Sequence, residues 1–485
     1  MTAVTDSKTT LPVGGEIAAP GVHSGALRRL LEEECFVVLA LSLTLVAVAV
    51  AAPASMIVPD TWLALVDGRW IAEHGIPHLD HLTVWTAGVH WVDQQWLGQL
   101  AFYELSRAGG IKLCVGAAFL LDALALVGAA GAARRFGASA SSVALGALIP
   151  IVVGPWLLQA RTQSLALPLF VAVYALVAAD ARGPSRRVYA VIPLLVLWAN
   201  VHGSASLGAL ILLLHGALET LRRRPRGILL ALAAPATLVA SPYGFDLVGY
   251  YHTMLVSSPL GQYVLEWAPT HLDAGTAPFF ALAFASVYLL ARRGGAVSVF
   301  ERLALPLFCL LGLLAGRNTI WLGLACAVTL PSLLDGLLGP QLVLTRGMRR
   351  LNVVLSATAS VFALVVVGAL LLRPASALLT SWPAEGAAAA AAAAGPSGRV
   401  LADDTHSDWL LWQQPRLIGR LAYDVRFELF TPRQFERVRS FRNGVAPRVA
   451  ADYRVLTFPD MKTARQLAPH GRLVYRGRGF VVVAS

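Results

Sequence analysis

The feature that most constrains this chain is a series of apolar segments that recurs along most of its length. A helix needs about 20 mostly apolar residues to cross the hydrocarbon of a membrane, and about eleven runs approach that length. They are centred on residues 35–58, 111–131, 139–158, 163–179, 188–201, 205–221, 227–241, 277–291, 302–316, 318–335 and 351–373. Hydrophobic residues make up 56% of the 485 and charged residues only 14%, a balance that excludes a soluble domain of this size. We therefore expect an α-helical polytopic membrane protein.

The basic residues indicate how the chain is oriented in the membrane. Short loops that keep Lys and Arg stay cytoplasmic, and here the basic clusters fall on alternate loops. These clusters are Arg28 and Arg29, Arg134 and Arg135, Arg182 with Arg186 and Arg187, Arg222 to Arg224, Arg292 and Arg293, and Arg346 with Arg349 and Arg350. The pattern predicts a multi-pass protein of the cytoplasmic membrane with its N-terminus inside and its C-terminal segment outside. Much of the net charge of +11 then reflects topology and contact with membrane lipids, and no nucleic-acid partner is needed to explain it.

Composition divides the chain into four parts. Residues 1–34 form a polar cytoplasmic tail, and residues 35–373 form the membrane domain, which includes an external loop at 59–110. Residues 374–398 contain an alanine run flanked by Gly and Pro, which indicates a linker. In residues 399–485, strand-like and helix-like segments alternate, which predicts a small extracytoplasmic α/β domain. The predicted strands are 399–402, 416–423, 453–458 and 472–484, and the predicted helices are 432–441 and 461–467.

Polar and charged residues gather at the predicted outward ends of the spans. Asp60 follows the first span, Arg161 lies between the third and fourth, His202 ends the fifth, and Arg317 separates the ninth from the tenth. Because all of these ends lie on one side of the membrane, we expect a single external cavity to collect them.

The chain at this point resembles a known group. The similarity is carried by residues 60–97, Gln159-Ala160-Arg161, Trp198 to Gly203, Ser241 to Gly244, Glu266-Trp267, Arg317-Asn318 and, in the tail, Tyr423 to Glu428. These segments resemble bacterial membrane proteins related to the GT-C glycosyltransferases. The resemblance implies sugar transfer from a polyprenyl-phosphate carrier, a lipid-linked sugar donor, on the outer face of the membrane. It also implies that an acidic residue of the first external loop is catalytic, and Asp60 matches that residue by position.

The residue types fit this chemistry. Glycosyl transfer needs a base for the proton of the acceptor hydroxyl and positive charge for the departing phosphate. We predict Asp60 as the base, with Arg161 and Arg317 as charge-assisted partners of the phosphate. A divalent metal ion bridging Asp60 with Asp80 or Glu266 also fits, because hard cations prefer carboxylate oxygens. The first external loop lacks a tight acidic pair, which leaves the metal and the second carboxylate open.

Other interpretations stay open at this level. Asp60 is also a favoured helix N-cap, and Trp62 and Trp91 are either sugar-stacking platforms or anchors at the membrane surface. His202 is either a substrate contact or a packed polar residue. For the whole chain, the alternatives to a glycosyltransferase are a transporter or flippase of a lipid-linked glycan, and a non-catalytic membrane assembly protein.

Overall fold

The computed structural model describes residues 22–51, 56–154, 159–257, 260–338, 344–443 and 447–485. Most of these residues are helical, and a small sheet lies near the C-terminus. The helices are α1 Val22–Glu33, α2 Cys35–Ala51, α3 Pro59–His74, α4 Trp96–Arg135, α5 Ala140–Val153, α6 Gln163–Arg182, α7 Val191–Val201, α8 Ala205–Leu221, α9 Arg226–Leu238, α10 Asp246–His252, α11 Leu260–Tyr263, α12 Ala277–Arg293, α13 Val299–Leu314, α14 Thr319–Leu338, α15 Arg346–Leu372, α16 Ala375–Leu378, α17 Ala384–Ala394, α18 Ser407–Gln413, α19 Pro432–Arg442 and α20 Met461–Leu467. The strands are β1 Val400–Leu401, β2 Val455–Phe458, β3 Arg472–Gly477 and β4 Phe480–Ala484.

Each of the apolar runs seen in the sequence coincides with a helix. These are α2, α4 to α9 and α12 to α15. Within the described residues, four helical segments are long and apolar enough to cross a membrane, and a bent pair at residues 27–33 and 35–50 would make a fifth. The four are Trp96–Arg135, Gln163–Arg182, Gly316–Leu338 and Arg346–Leu372. The chain is thus a multi-pass membrane protein, whereas the number of eleven spans and the orientation of the termini stay predictions.

Helix α4 connects the segment that follows α3 to the helical bundle. It runs for 40 residues, but Gly109 and Gly110 inside it leave helical geometry. Gly110 has a φ of +67°, a left-handed conformation that side chains other than glycine rarely adopt. The break divides α4 into a first half, which begins at Trp96, and a second half, which coincides with the apolar run that the sequence predicts from residue 111.

The interior of the bundle is closely packed around aromatic rings. Phe170 lies 5.4 Å from Phe308 and 5.1 Å from Trp321 between ring centroids, and Trp198 lies 6.1 Å from Trp321. Small residues bring helices together, as at Gly216, where an added Cβ would lie 2.6 Å from a backbone nitrogen of α9. Helices of this packed interior end at the cavity of the candidate active site.

The C-terminal domain contains a four-stranded sheet with the order β1-β2-β4-β3. Strands β1 and β2 are parallel, whereas β4 pairs antiparallel with both β2 and β3. The α/β character and both predicted helices are therefore present. Residues 416–423 do not form the predicted strand; they include a short 3₁₀ turn, and only Leu421 makes isolated bridges, to Thr83 and to Val400.

The predicted linker at 374–398 is wrong as a tether. Its alanine run forms α17, which packs on β3 and β4 and buries Ala387, Ala390, Ala391 and Ala394 completely. Alanine has the highest helix propensity, and the small side chain lets this helix lie close to the sheet. The flanking Pro383 and Gly395 lie at the two ends of the helix instead of marking a flexible segment.

The segment between α3 and α4 packs against the C-terminal domain. The backbone nitrogen of Val84 donates to Leu421 O at 2.8 Å, and that of Trp85 donates to Ala422 O at 3.0 Å. On α3, the Arg69 guanidinium donates to the carbonyls of Leu411 and Trp412 at 2.9 and 3.2 Å. These contacts hold the domain against α3 and against the segment between α3 and α4.

Candidate active site

A cavity of about 480 Å³ lies where the bundle meets the C-terminal domain. Its wall is formed by the start of α3, the segments that precede α4 and α6, and the connections α7–α8 and α13–α14. Residues 250–255 and 260–267, Asp404 and the tail segment 425–428 complete it. The lining mixes charged and amide side chains with apolar ones such as Leu207, Leu255 and Leu260, so the cavity is amphipathic.

A buried arginine between two carboxylates is the main charged feature of the cavity. Arg161 Nη1 lies 3.1 Å from Asp60 Oδ2 and 3.5 Å from Glu266 Oε1. The Arg161 side chain is only 5% exposed, whereas that of Asp60 is 48% exposed. The backbone fixes this position, because Ala160 N donates to Met56 O at 2.8 Å just before α6 begins. Asp60 lies in the first turn of α3, whose N-cap is Val58, so Asp60 is not the cap of that helix.

Arg317 supplies a second positive charge to the same cavity. It lies in the 3₁₀ turn between α13 and α14, with its guanidinium 4.3 Å from the ring centroid of Trp267. Its charge interacts with those of Glu266, Arg161 and Asp60. Two arginines near one pocket suit a phosphate group, which binds guanidinium donors through charge-assisted hydrogen bonds.

His202 also lines the cavity, directly after α7. The backbone nitrogen of Ser204 donates to His202 Nδ1 at 3.1 Å, so that nitrogen is an acceptor and the ring proton lies on Nε2. Burial, together with the positive charges of Arg317 and Arg161, holds the pKa of His202 well below its usual range. The imidazole is therefore a neutral hydrogen-bond donor at physiological pH.

Three residues predicted from the sequence lie outside this cavity. Trp62 is buried, with its ring in an edge contact with Trp382 at 5.4 Å between centroids. Trp91 is buried beneath the guanidinium of Arg426, 4.4 Å from the ring centroid, and borders a second cavity of about 420 Å³. Asp80 is buried in an ion pair with Arg426 at 2.7 Å. The structure therefore places Trp62, Trp91 and Asp80 outside the cavity that contains Asp60.

Of the metal ligands predicted from the sequence, the structure brings Asp60 and Glu266 to one cavity and places Asp80 elsewhere. Asp80 is held by Arg426, while Asp60 and Glu266 both contact Arg161, so an arginine already lies between the two remaining carboxylates. Among the described residues, no group of three or more His, Cys, Asp or Glu side chains could hold a metal ion. The structure therefore separates Asp80 from the predicted metal site, and a metal ion held by Asp60 and Glu266 stays a prediction.

One carboxyl group of the site has no role in the sequence interpretation. Glu428 lies in the 3₁₀ turn Phe427–Leu429 of the C-terminal domain and lines both cavities. Burial raises the pKa of Glu428 to about 7. The sequence offered one signal, because Glu428 ends the tail segment that resembles the GT-C-related group, but nothing in the sequence places that segment beside Asp60.

Comparisons with known proteins agree with this architecture. The fold is similar to that of ArnT, in line with the sequence resemblance to the GT-C-related group. The structure is similar to a crystal structure of ArnT from Cupriavidus metallidurans bound to undecaprenyl phosphate, with a TM-score of 0.53 and 14% identity over 92% of this chain and 97% of that one. The apo structure of the same ArnT gives a TM-score of 0.51, with 14% identity over 96% and 98% of the two chains. At this identity the likeness establishes the fold.

Sequence comparison adds nothing to the structural likeness. No known family description matches the chain, and no curated protein matches it.

Proposed function

We propose that this protein is a membrane glycosyltransferase that transfers a sugar from a polyprenyl-phosphate donor to an acceptor at the outer face of the membrane. The observation that carries the proposal is the presence of Arg161, Arg317 and Asp60 in one amphipathic cavity. The fold likeness to ArnT, whose crystal structure contains undecaprenyl phosphate, supports a lipid-linked phosphate as the ligand.

The geometry suggests how the chain divides the chemical work. The bond between the sugar C1 and the phosphate oxygen breaks with its electron pair on the phosphate, so negative charge grows there. Arg161 and Arg317 are placed to stabilise that charge, and the neutral Nε2–H of His202 can donate a further hydrogen bond. Asp60, the proton acceptor predicted from the sequence, contacts Arg161 and so lies beside the phosphate site.

Replacing Asp60 tests the proposal directly. The purified protein would be screened with sugars linked to undecaprenyl phosphate, and release of undecaprenyl phosphate would report transfer whatever the sugar. We expect Asp60→Asn to lower the rate by about 10²-fold or more, because the Asp60 carboxylate contacts Arg161 beside the proposed phosphate site. Asp452→Asn, an exposed aspartate of the tail, is the matched control and should leave the rate unchanged.

Two results would contradict the proposal. One is an Asp60→Asn protein as fast as the wild type. The other is a wild-type protein that moves a lipid-linked glycan across sealed vesicles without releasing undecaprenyl phosphate, which would favour a transporter or flippase.

A further inference from the structure

Glu428 occupies the junction between the two cavities. The larger cavity contains the arginines, and the smaller one is lined by residues that include Trp91, Phe245 and Asp246. Glu428, Tyr250 and Met254 line both. A sugar acceptor that enters through the smaller cavity would therefore meet the Glu428 carboxyl before it reaches the phosphate site.

The other carboxylates of the larger cavity are engaged by arginine. Asp60 and Glu266 both contact Arg161, and Asp404 contacts Arg442, so each of these carboxylates already has an arginine partner. Among the described residues, no hydrogen bond or ion pair joins the Glu428 carboxyl to another side chain. Arg426, two residues away, directs its guanidinium to Asp80 and Asp424 instead, at 2.7 and 2.6 Å.

The electrostatic surroundings of Glu428 suit proton exchange near neutral pH. Burial raises its pKa to about 7, and a catalytic base works best when its pKa lies near the working pH. The charged and titratable groups that face it are Asp60, Asp93, Asp424, Arg426 and Tyr250. Burial also raises the pKa of Asp93 to about 7, but Asp93 is fully buried and lines neither cavity, so it cannot touch a substrate.

We infer that Glu428, contributed by the C-terminal domain, is the catalytic base of the proposed glycosyl transfer. The proton of the acceptor hydroxyl passes to the Glu428 carboxylate while the acceptor oxygen forms a bond to the sugar C1. The C1–oxygen bond to the phosphate breaks, and the electron pair leaves with the polyprenyl phosphate. Asp60 then acts as a positioning residue for Arg161. This inference rests on the proposed function and supplies its missing second carboxylate.

The experiment compares Glu428→Gln, Glu428→Asp and Asp60→Asn in the full-length protein. Undecaprenyl phosphate binding is measured first, because it shows that a variant is folded and that the phosphate site is intact. Transfer is then measured as kcat/KM against pH, with and without azide. Azide attacks the sugar C1 as an anion and needs no base, so it should bypass a missing Glu428 carboxylate.

We expect Glu428→Gln to bind undecaprenyl phosphate normally and to transfer sugar about 10²- to 10⁴-fold more slowly than the wild type. It should lose the wild-type fall in rate below about pH 7 and regain sugar release, as glycosyl azide, when azide is added. Glu428→Asp should retain part of the rate. Asp60→Asn should keep the fall below pH 7 and gain nothing from azide. Glu436→Gln, an exposed glutamate on α19 with a side chain 52% exposed, is the matched control and should behave as the wild type.

Distinct outcomes separate failure of this inference from failure of the proposed function. If Glu428→Gln keeps the acid limb, or binds undecaprenyl phosphate but gains nothing from azide, Glu428 is not the base. If azide instead rescues Asp60→Asn, the base is Asp60. A wild-type protein that neither binds undecaprenyl phosphate nor releases it from any donor overturns the proposed function and this inference with it.

Discussion

Among the described residues, Arg426 is the one positive charge in a buried group of carboxylates between the C-terminal domain and the segment that joins α3 to α4. It pairs with Asp80 at 2.7 Å and with Asp424 at 2.6 Å, and all three side chains are at most 2% exposed. We predict that Arg426→Met, which keeps an unbranched apolar stem but removes the charged guanidinium, loosens the contact between the two parts of the chain. Removing one partner of a buried ion pair costs about 3–5 kcal/mol, because the remaining charge stays out of water.

Amide hydrogen exchange measures this change where it occurs. The amides of Val84 and Trp85 donate across the contact to Leu421 and Ala422, so they exchange when the contact opens. A loss of 3–5 kcal/mol corresponds to exchange that is roughly 10²- to 4 × 10³-fold faster, at about 1.4 kcal/mol per tenfold change. Arg439→Met, which removes an exposed arginine 3.7 Å from Glu436, should leave these two amides unchanged.

A double variant checks the physical cause. Asp80→Asn in the Arg426→Met background removes one of the charges left without a partner, so it should slow the exchange relative to Arg426→Met alone. Exchange of Val84 and Trp85 within about threefold of the wild type in Arg426→Met, less than 1 kcal/mol on the same scale, would refute the reasoning.

Two further predictions concern Asp93, just before α4, and Gly386 on α17. Burial raises the pKa of Asp93 from 3.8 to about 7. Between these two values the folded protein keeps a proton that the unfolded chain has lost, so stability falls as the pH rises from about 4 through 7, by about 4 kcal/mol in all. The melting temperature of Asp93→Asn should therefore fall less between pH 5 and pH 8 than that of the wild type. A Cβ at Gly386 would lie 2.7 Å from Phe480 and 2.8 Å from Tyr475, so Gly386→Leu should destabilise the C-terminal domain by about 1–3 kcal/mol. The neighbouring Ala388 is exposed, so Ala388→Leu should be tolerated. Equal melting temperatures for the two leucine variants would contradict the packing of α17 on the sheet.

Periodicity and charge were sufficient to predict the part of the site that depends on helix ends. Asp60, Arg161, His202 and Arg317 each lie beside the end of an apolar run, and the alternation of basic loops placed those ends on one side. The structure brings all four to one cavity. The convergence was predictable because a membrane forces successive helices to turn at its two surfaces.

The rest of the site depends on contacts that no local pattern reveals. Asp80 and Trp91 look like external loop residues, yet both are buried by Arg426, more than 330 positions further along the chain. The alanine run is interpreted as a tether from the sequence, whereas in the structure it forms a helix that packs on β3 and β4. In each case the deciding interaction is a long-range pairing, which sequence spacing does not record.

The ion pair between Arg426 and Asp80 links the C-terminal domain to the proposed catalytic site. Arg426 is fixed by Asp80, in the segment that follows α3, and α3 begins beside Asp60. Two residues beyond Arg426, Glu428 reaches the cavity that contains Asp60 and Arg161. The ion pair therefore sets the position of Glu428 relative to the phosphate site. Burying a charge is costly, and an apolar contact of the same size would hold two domains together as well. The ion pair is therefore better explained by the need to position a functional group than by stability.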